Sequence, residues 1–530
     1  MSNVIKNIIF GNRYVDSLKL MRVSSKIAGL EGVDQVSVVM ATDLNKQILK
    51  DVGLFTSDLE RAKPDDLVVA VSLKDAGDVD SVLDFVNSEL DKTSQARSEQ
   101  MRPKTLESAL SMLQGANLAL ISVPGNYAKR EAKKALEHGL HVLLFSDNVS
   151  IEEELELKTL AKSKGLLVMG PGCGTAIINN VPLAFANVLK RGPIGIVAAA
   201  GTGIQEVSCL IGNAGSGISH AIGTGGRDLS DAIGGITMMQ GIELLEADLG
   251  TEVIILFSKP PGKKTAKKLT GLIADCKKPV VVNFIGIESD QEVEGGQWIS
   301  VSTLEDAAMA AIALVNKREV EQAVFALEKD EIVATVEKEW HNFNQEQQYV
   351  RGLYAGGTVC SEATLILSDL VSPVYSNAPS RPELEMLYTK TSHGHVCLDM
   401  GDEEFTVGRA HPMIDPTLRQ NRIIQEAEDS KTAVILLDIE LGYGTHSDPA
   451  GALVPSIREA KKICAYRGGH LAVVASILGT YEDFQGYEDQ RATLEQEGVL
   501  VMPSNAQASR LAALIASRGK LAATFFGGDE

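Results

Sequence analysis

The chain reads as an α/β protein: a small amino-terminal α+β unit followed by parallel, doubly wound sheets. Three observations predict this. Short apolar runs alternate with amphipathic stretches along most of the 530 residues, the rhythm of β-α-β layers. Glycine is abundant at 48 residues and aromatics make up only 5%, a composition of loop-built sites. One strand-loop-helix pattern also occurs twice. At roughly 100–200 residues per domain, the length allows three or four domains.

Residues 1–100 contain the runs IIF, VSVVMA and LVVAVSL beside VDSLKLMRVSSKIAGL and DVDSVLDFV, which predict a small α+β domain. LDKTSQARSEQMRPK, from Leu90 to Lys104, is polar and has no apolar face, so it reads as a linker. Residues 105–190 alternate strands at Leu118–Val123, His141–Phe145 and Leu166–Met169 with AKREAKKALEHG and EEELELKTLAKSKG, predicting a Rossmann-like domain. Residues 191–320 continue with Ile194–Ala199, Val253–Phe257 and Val280–Phe284. A charged helical linker follows over 321–348, and a last domain spans 349–530.

The repeat pairs IGIVAAAGTGIQEVSCLI (Ile194–Ile211) with YVRGLYAGGTVCSEATLIL (Tyr349–Leu367), with Glu206 and Glu362 at matching places. Both copies go on through a polar glycine loop, a helix and a strand. This predicts two flavodoxin-like units in tandem, with their loops at the carboxyl ends of the strands, where open α/β sheets take ligands.

Fifty Lys+Arg against seventy Asp+Glu give a net charge of −20, which argues against nucleic acid and anionic membrane surfaces as partners. MSNVIKNIIFGNRYVD lacks the apolar core of a signal peptide, and no run reaches the roughly 18 apolar residues of a membrane span. The six cysteines are scattered without a CxxC pair, so the sequence predicts a reduced, cytoplasmic setting and no metal site.

Four glycine loops, and the copy of one of them in the repeat, could hold anions, because without a Cβ their backbone N–H groups can approach closely. VPGNYA carries Asn126, and MGPGCGTA carries Gly172, Cys173 and Gly174. AAGTGIQE carries Gly201, Thr202 and Gly203, GTGGRD carries Gly225 and Gly226, and YAGGTV carries Gly356, Gly357 and Thr358. Each loop alone also fits a tight turn. Arg227 beside its glycine loop can clamp a carboxylate or phosphate with Asp228 orienting it; a surface ion pair is the other reading. GRAHPMIDPTLRQ places Arg409 and His411 ahead of Asp415–Pro416, and GYGTHSDPAG places His446 ahead of Asp448–Pro449. Asp before Pro is the expected helix start, while the two histidines sit in loops of one domain and could bind ligand or move protons. Cys173 has no base nearby in sequence.

Gly115 to Ala176, with its VP…A loop and GP.C.G signature, resembles the CoA-binding domain of the succinyl-CoA synthetase α subunit. Gly192–Phe284 resembles the first ligase domain of that subunit, and Tyr349–Leu514 resembles a second, β-subunit-like ligase domain. Their order, with YAGGTVCSEA and RAHPMIDPTLR, resembles the FdrA family of acyl-CoA-synthetase-like proteins. Two departures stand out. The synthetase carries its phosphohistidine in a GHAGA-type segment after the strand matching VVVNF, where this chain reads IGIESDQEVEGGQWISVSTLEDAAMAA without a histidine. No segment reads as an ATP-grasp domain.

The FdrA resemblance implies a subunit of oxamate carbamoyltransferase, a transferase of allantoin (purine) degradation that takes oxalurate and phosphate to oxamate and carbamoyl phosphate with other subunits. In that reading His411 protonates the departing nitrogen, Arg227, oriented by Asp228, grips the substrate carboxylate, and the glycine loops with His446 hold the ligand. CoA is not required, and Mg2+ would assist the phosphate chemistry although no ligand cluster for it is legible. The alternatives are an ADP-forming acyl-CoA synthetase, disfavoured by the missing histidine, and a non-catalytic scaffold binding CoA or a nucleotide.

Overall fold

The computed structural model describes residues 4–526 except 12, 14–19, 21–22, 25, 28–29, 31, 52, 65, 75–81, 83, 87, 89–102, 200, 285–297, 321–323, 380, 387 and 407–409. They form two compact units: residues 1–109 with 403–410, and residues 110–402 with 411–530.

In the first unit β1 (Val4–Phe10), β2 (Val33–Met40) and β3 (Leu67–Leu73) form an antiparallel sheet in the order β1-β3-β2. Every residue of the central strand is buried, because both its faces are covered. Val69 and Val71 pack with Leu20, Val23, Ile27 and Val86, while Val68 and Ala70 pack with Leu49, Leu54 and Leu59. That two-sided burial makes LVVAVSL read as a continuous apolar run instead of an alternating one.

The second unit holds three sheets. The smallest is parallel: β4 (Leu118–Ile121), β5 (His141–Leu144) and β6 (Val168–Met169), in that order, with helices α1 (Gly125–Glu137) and α2 (Ile151–Ser163). The next sheet contains β7 (Thr175–Ile178), β8 (Val181–Ala184), β9 (Arg191–Ala198), β10 (Ile218–Gly223), β11 (Val253–Ser258), β12 (Val280–Phe284) and β13 (Trp298–Ser300), in the order β13-β12-β11-β9-β10-β7-β8. Its five parallel strands follow the flavodoxin order 2-1-3-4-5 predicted from the repeat. The hairpin β7-β8, which the sequence places with the Rossmann-like domain, pairs antiparallel with β10 and so extends this sheet.

The last sheet is wholly parallel: β14 (Tyr349–Tyr354), β15 (Val374–Ser376), β16 (His395–Asp399), β17 (Thr432–Glu440), β18 (Ala472–Leu478) and β19 (Leu500–Met502), ordered β15-β16-β14-β17-β18-β19. Without the edge strand β15 it has the same flavodoxin order. The central strands β11, β17 and β18 are buried throughout, as expected of parallel strands covered on both faces. The 321–348 linker joins the core: in helix Lys329–Trp340 the residues Ile332 and Val336 are buried among Leu511 and Leu514.

The two flavodoxin-like halves exchange helix caps. Helices α3 (Gly201–Asn213), α4 (Ile236–Ala247) and α5 (Leu304–Val315) belong to the first half, and α6 (Gly357–Val371), α7 (Thr417–Ala427), α8 (Pro449–Tyr466) and α9 (Asn505–Ala516) to the second. Glu206 on α3 accepts the Asn505 amide at the start of α9 at 2.8 Å. Glu362 on α6 accepts the Leu304 amide at the start of α5 at 2.7 Å and the Asn505 side-chain amide at 2.7 Å. Both carboxyl groups are buried, and each satisfies an amide that a helix start leaves without an intrahelical partner. The matching positions of Glu206 and Glu362 in the repeat are this reciprocal exchange seen in sequence.

Candidate functional site

β9 and β14 each run into a short loop and then a helix, and the two helix starts meet. The Thr358 amide donates to Thr202 Oγ1 at 3.2 Å. A Cβ on Gly203 would lie 2.5 Å from the Phe257 ring and 2.9 Å from the Thr358 methyl, and one on Gly356 would lie 2.8 Å from the Thr202 methyl, so glycine at these positions permits the contact. The amides of Gly201, Thr202, Gly357 and Val359 find no acceptor among the described residues. Two helix N-termini with free N–H groups thus share one place, and both dipoles favour an anion there. Gly174 lies beside it, with its Cα 3.7 Å from where a Gly201 Cβ would stand.

The carboxyl ends of β16 and β17 supply the chemistry around α6. Asp438, fully buried, accepts the Ala355 amide at 2.9 and 3.1 Å and the Gly356 amide at 2.7 Å. Arg419 holds it at 2.5 Å and donates to the Leu353 carbonyl at 2.9 Å. Asp399 closes β16, with its backbone pinned by two 2.9 Å bonds to the Asn377 side chain. Its carboxylate accepts the Gly401 amide at 3.0 Å and sits 2.5 Å from where a Gly357 Cβ would be. Burial, helped by the charges of Asp402 and Asp438, pushes the Asp399 carboxyl up to about 7, with Lys259 pulling the other way.

His411 Nε2 stands 2.6 Å from where a Gly401 Cβ would be, and Asp399 Oδ1 3.2 Å from it. Burial pulls its imidazole down to about 4, so the ring is neutral at physiological pH. Its Nδ1 accepts the Met413 amide at 3.3 Å, which places the proton on Nε2. Near pH 7 the pair offers a carboxyl that gains or loses a proton and an imidazole N–H donor, both beside the first turn of α6. Asp399 escaped the sequence reading; its one signal is a polar residue ending the apolar strand HVCLD.

The structure therefore gathers Gly201, Thr202, Gly203, Gly356, Gly357, Thr358 and His411. His446 is joined to the same loop, its amide donating to the Met413 carbonyl at 2.7 Å and its Nδ1 accepting the Asp448 amide at 3.0 Å. Asp448 caps α8 through the Gly451 amide at 3.0 Å, the role that Asp-Pro predicts, whereas Pro416 takes the cap position of α7 and Asp415, one residue earlier, accepts the Thr417 amide at 3.0 Å. Arg409 lies outside the described residues.

Arg227 and Asp228 are engaged elsewhere, which corrects the expectation that Asp228 orients Arg227 toward a ligand. Lys158, wholly buried, donates to Asp228 at 2.7 Å, Glu154 at 2.8 Å and the Thr224 carbonyl at 2.9 Å. Asp228 also accepts the Thr237 and Met238 amides at 3.2 and 2.9 Å, opening α4. Arg227 is held by Glu154 at 2.9 Å and the Val149 carbonyl at 2.7 Å. These groups staple the β4-β5-β6 layer to the next sheet.

The glycines nearby serve the same packing. Gly225 has φ +85°, and a Cβ there would lie 2.6 Å from the Pro171 carbonyl oxygen. Gly225→Ala is expected to cost about 1–3 kcal/mol in left-handed strain alone, read as a lower urea midpoint. Gly172 donates to the Ser146 carbonyl at 3.1 Å and is exposed, as are Gly226 and Asn126. Cys173 is buried, with its thiol donating to the Thr175 carbonyl at 3.3 Å and pushed up to about 12 by burial. It cannot supply a thiolate near neutral pH. Among the described residues no group of His, Cys, Asp and Glu could hold a metal ion, and no helix is long and apolar enough to cross a membrane.

Comparison with known proteins bears on this geometry. The uncharacterized protein YahF of Escherichia coli (strain K12) is 42% identical over 516 residues, covering 97% of this chain and 99% of YahF. The chain belongs to the YahF family. In this YahF-family chain, residues 353–515 match the CoA-ligase model, residues 190–286 the CoA binding domain, and residues 1–105 the AllF, heavy metal-associated domain. The CoA-binding match falls one sheet later than the segment 115–176 that the sequence reading compares with such a domain. The amino-terminal match contains neither Cys nor His, the ligands that soft metal ions prefer.

The succinate–CoA ligase [ADP-forming] subunit alpha of Methanothermobacter thermautotrophicus is 25% identical over 38% of this chain and 71% of its own length. The crystal structure of PH0766 from Pyrococcus horikoshii OT3 shares 14% identity with a TM-score of 0.32, covering 76% of this chain and 84% of that one. The CoA-ligase match and the CoA-ligase relative overturn the carbamoyltransferase expected from the sequence. The chain has an α/β fold with CoA-binding and CoA-ligase domains of the succinyl-CoA-synthetase-like kind.

Proposed function

We propose that this chain is the ligase component of an ADP-forming acyl-CoA ligase, and that it exchanges phosphate and CoA on an acyl group at the joined starts of α3 and α6. The motifs YAGGTVCSEA and RAHPMIDPTLR support a reading of it as FdrA-like. The observation that carries the reading is the Thr358–Thr202 contact, which joins two helix N-termini with free amides. In one direction, phosphate held there attacks the thioester carbonyl, a P–O–C bond forms, the C–S bond breaks, and the CoA thiolate takes a proton from Asp399, with the His411 N–H as a hydrogen-bond donor beside it. Acyl phosphate and CoA result. The free amides stabilise the oxyanion formed on the way, an effect worth roughly 3–4 kcal/mol per donor in measured cases.

CoA is a substrate here, in place of the expectation that none is required. The segment after β12 carries no histidine, so transfer of the acyl phosphate's phosphoryl group to ADP falls to a further subunit with its own nucleotide site.

The test is phosphate-dependent release of CoA from succinyl-CoA and acetyl-CoA by the full chain, alone and with co-purifying subunits, with acyl phosphate trapped as hydroxamate. Asp399→Asn is expected to lower turnover by about 10²–10⁴-fold and to remove a limb of the pH profile near 7. Phosphate-independent release, or a limb that survives in Asp399→Asn, would reject the assignment.

A further inference from the structure

On the other side of the Asp438 clasp lies a small cavity with about 10 Å3 of room for a water centre, lined by Pro412, Met413, Arg419, Glu440, His446 and Leu453 among others. That is enough for a single water. Glu440, the last residue of β17, lines the cavity and is 3% exposed, and its Oε1 has no hydrogen-bond partner. A buried carboxyl oxygen without a partner is costly, so a guest or a function is implied. Its other oxygen lies 3.8 Å from Arg419 Nη1, the guanidinium that holds Asp438 at 2.5 Å.

Two carboxyl groups thus share one arginine. Burial, then the charge of Asp438 and the hydrogen bond to it, hold the Glu440 carboxyl well above the ordinary range, with Arg419 opposing. The other ionisable groups are His446 at the cavity, His411, which feels both Asp438 and Arg419, and Asp399, which the charge of Asp438 helps push up to about 7. α8 contributes only Pro449 and Leu453.

We infer that Glu440 is a positioning residue that acts as a neutral acid: its proton joins it to Asp438, leaves Arg419 to Asp438 alone, and keeps the Ala355–Gly356 clasp closed ahead of α6. One water in the cavity, between Glu440 Oε1 and His446, is the route by which that proton exchanges with solvent. As pH rises and Glu440 ionises, it competes for Arg419 and repels Asp438, and the two clasp amides lose their acceptor geometry. The consequence for ligand binding rests on the anion site proposed at α3 and α6.

Two measurements test it on the full chain. Sulfate keeps one charge state between pH 6 and 9, so its calorimetric affinity reads the protein alone. Ionisation of Asp399 near pH 7 lowers affinity in both proteins, so the expected result is a further fall in wild type, roughly tenfold beyond that of Glu440→Gln across that range, the scale of a weakened charge-assisted bond. Hydrogen exchange of residues 353–359, corrected for intrinsic rate, is expected to show protection lost with rising pH in wild type and kept in Glu440→Gln. Wild-type protection that does not fall with pH overturns the inference, even if the variant fails to fold. So does a fall in sulfate affinity or protection of equal size in Glu440→Gln. Absence of sulfate binding at every pH would instead sink the α3–α6 anion site, and the exchange data would still decide the role of Glu440.

Discussion

Lys158→Met should lower the free energy of unfolding by about 3–5 kcal/mol, the range for removing one partner from a buried ion pair. Lys158 donates to Glu154, Asp228 and the Thr224 carbonyl with no exposed surface. Methionine fills similar volume, so the loss isolates charge from packing. Arg227 still reaches Glu154 from the solvent side, leaving Asp228 as the stranded group, with the Thr237 and Met238 amides its remaining donors. The urea midpoint checks this directly. The double variant Lys158→Met with Asp228→Asn should recover part of the loss, because it removes the uncompensated charge. A change under about 1 kcal/mol, the worth of an exposed pair, would show that the β4-β5-β6 layer is not stapled through Lys158.

The second large effect concerns pH and the exchanged caps. Burial pushes Glu206 up to about 8 and Glu362 up to about 7, and their mutual proximity adds to the shift of Glu206. The folded chain therefore holds protons that the unfolded chain releases above its ordinary carboxylate value. Stability from this source is complete below about pH 4.5 and is lost as pH rises through 7 and then 8. A shift of that size corresponds to a few kcal/mol. Wild-type melting temperature is thus expected to decline between pH 5 and 9 relative to the double variant Glu206→Gln, Glu362→Gln, which keeps the amide-accepting oxygens without the charge. Parallel curves for the two proteins would refute this. Glu362→Ala, by contrast, strands the buried Leu304 amide and one N–H of the Asn505 side chain, whose other bonds to Val359 and Tyr354 remain, at every pH, at about 1–3 kcal/mol for each orphaned group.

Much of this architecture is legible in the sequence because parallel strands buried on both faces appear as apolar runs such as VIILF and VVVNF. The repeat exposes the two flavodoxin-like halves, and even their shared glutamates. The glycine loops at 201–203 and 356–358 are legible as anion-binding candidates because close approach of two helices requires glycine there. The rest depends on which groups meet across loops, and spacing does not encode that. Arg227 and Asp228 look like a ligand clamp until Lys158, some seventy residues earlier, is seen to occupy the aspartate. Asp399 and Glu440 are polar residues at the ends of apolar strands, and only their neighbours in space, around a half-buried Asp399 and a buried Glu440, distinguish them from ordinary strand ends. The hairpin β7-β8 lies before the first strand of the sheet it joins, so chain order assigns it to the wrong domain.

The reciprocal caps also bear on how the chain could be cut. Each half supplies a carboxylate that the other half's terminal helix requires, so neither is finished as an isolated fragment, and the covalent connection serves mainly to keep the two at high effective concentration. A break near residue 320 leaves both capping contacts intact. The two pieces, produced together, are then expected to reassemble as a complementing pair, whereas either piece alone would present an open helix end and an unmatched buried acid.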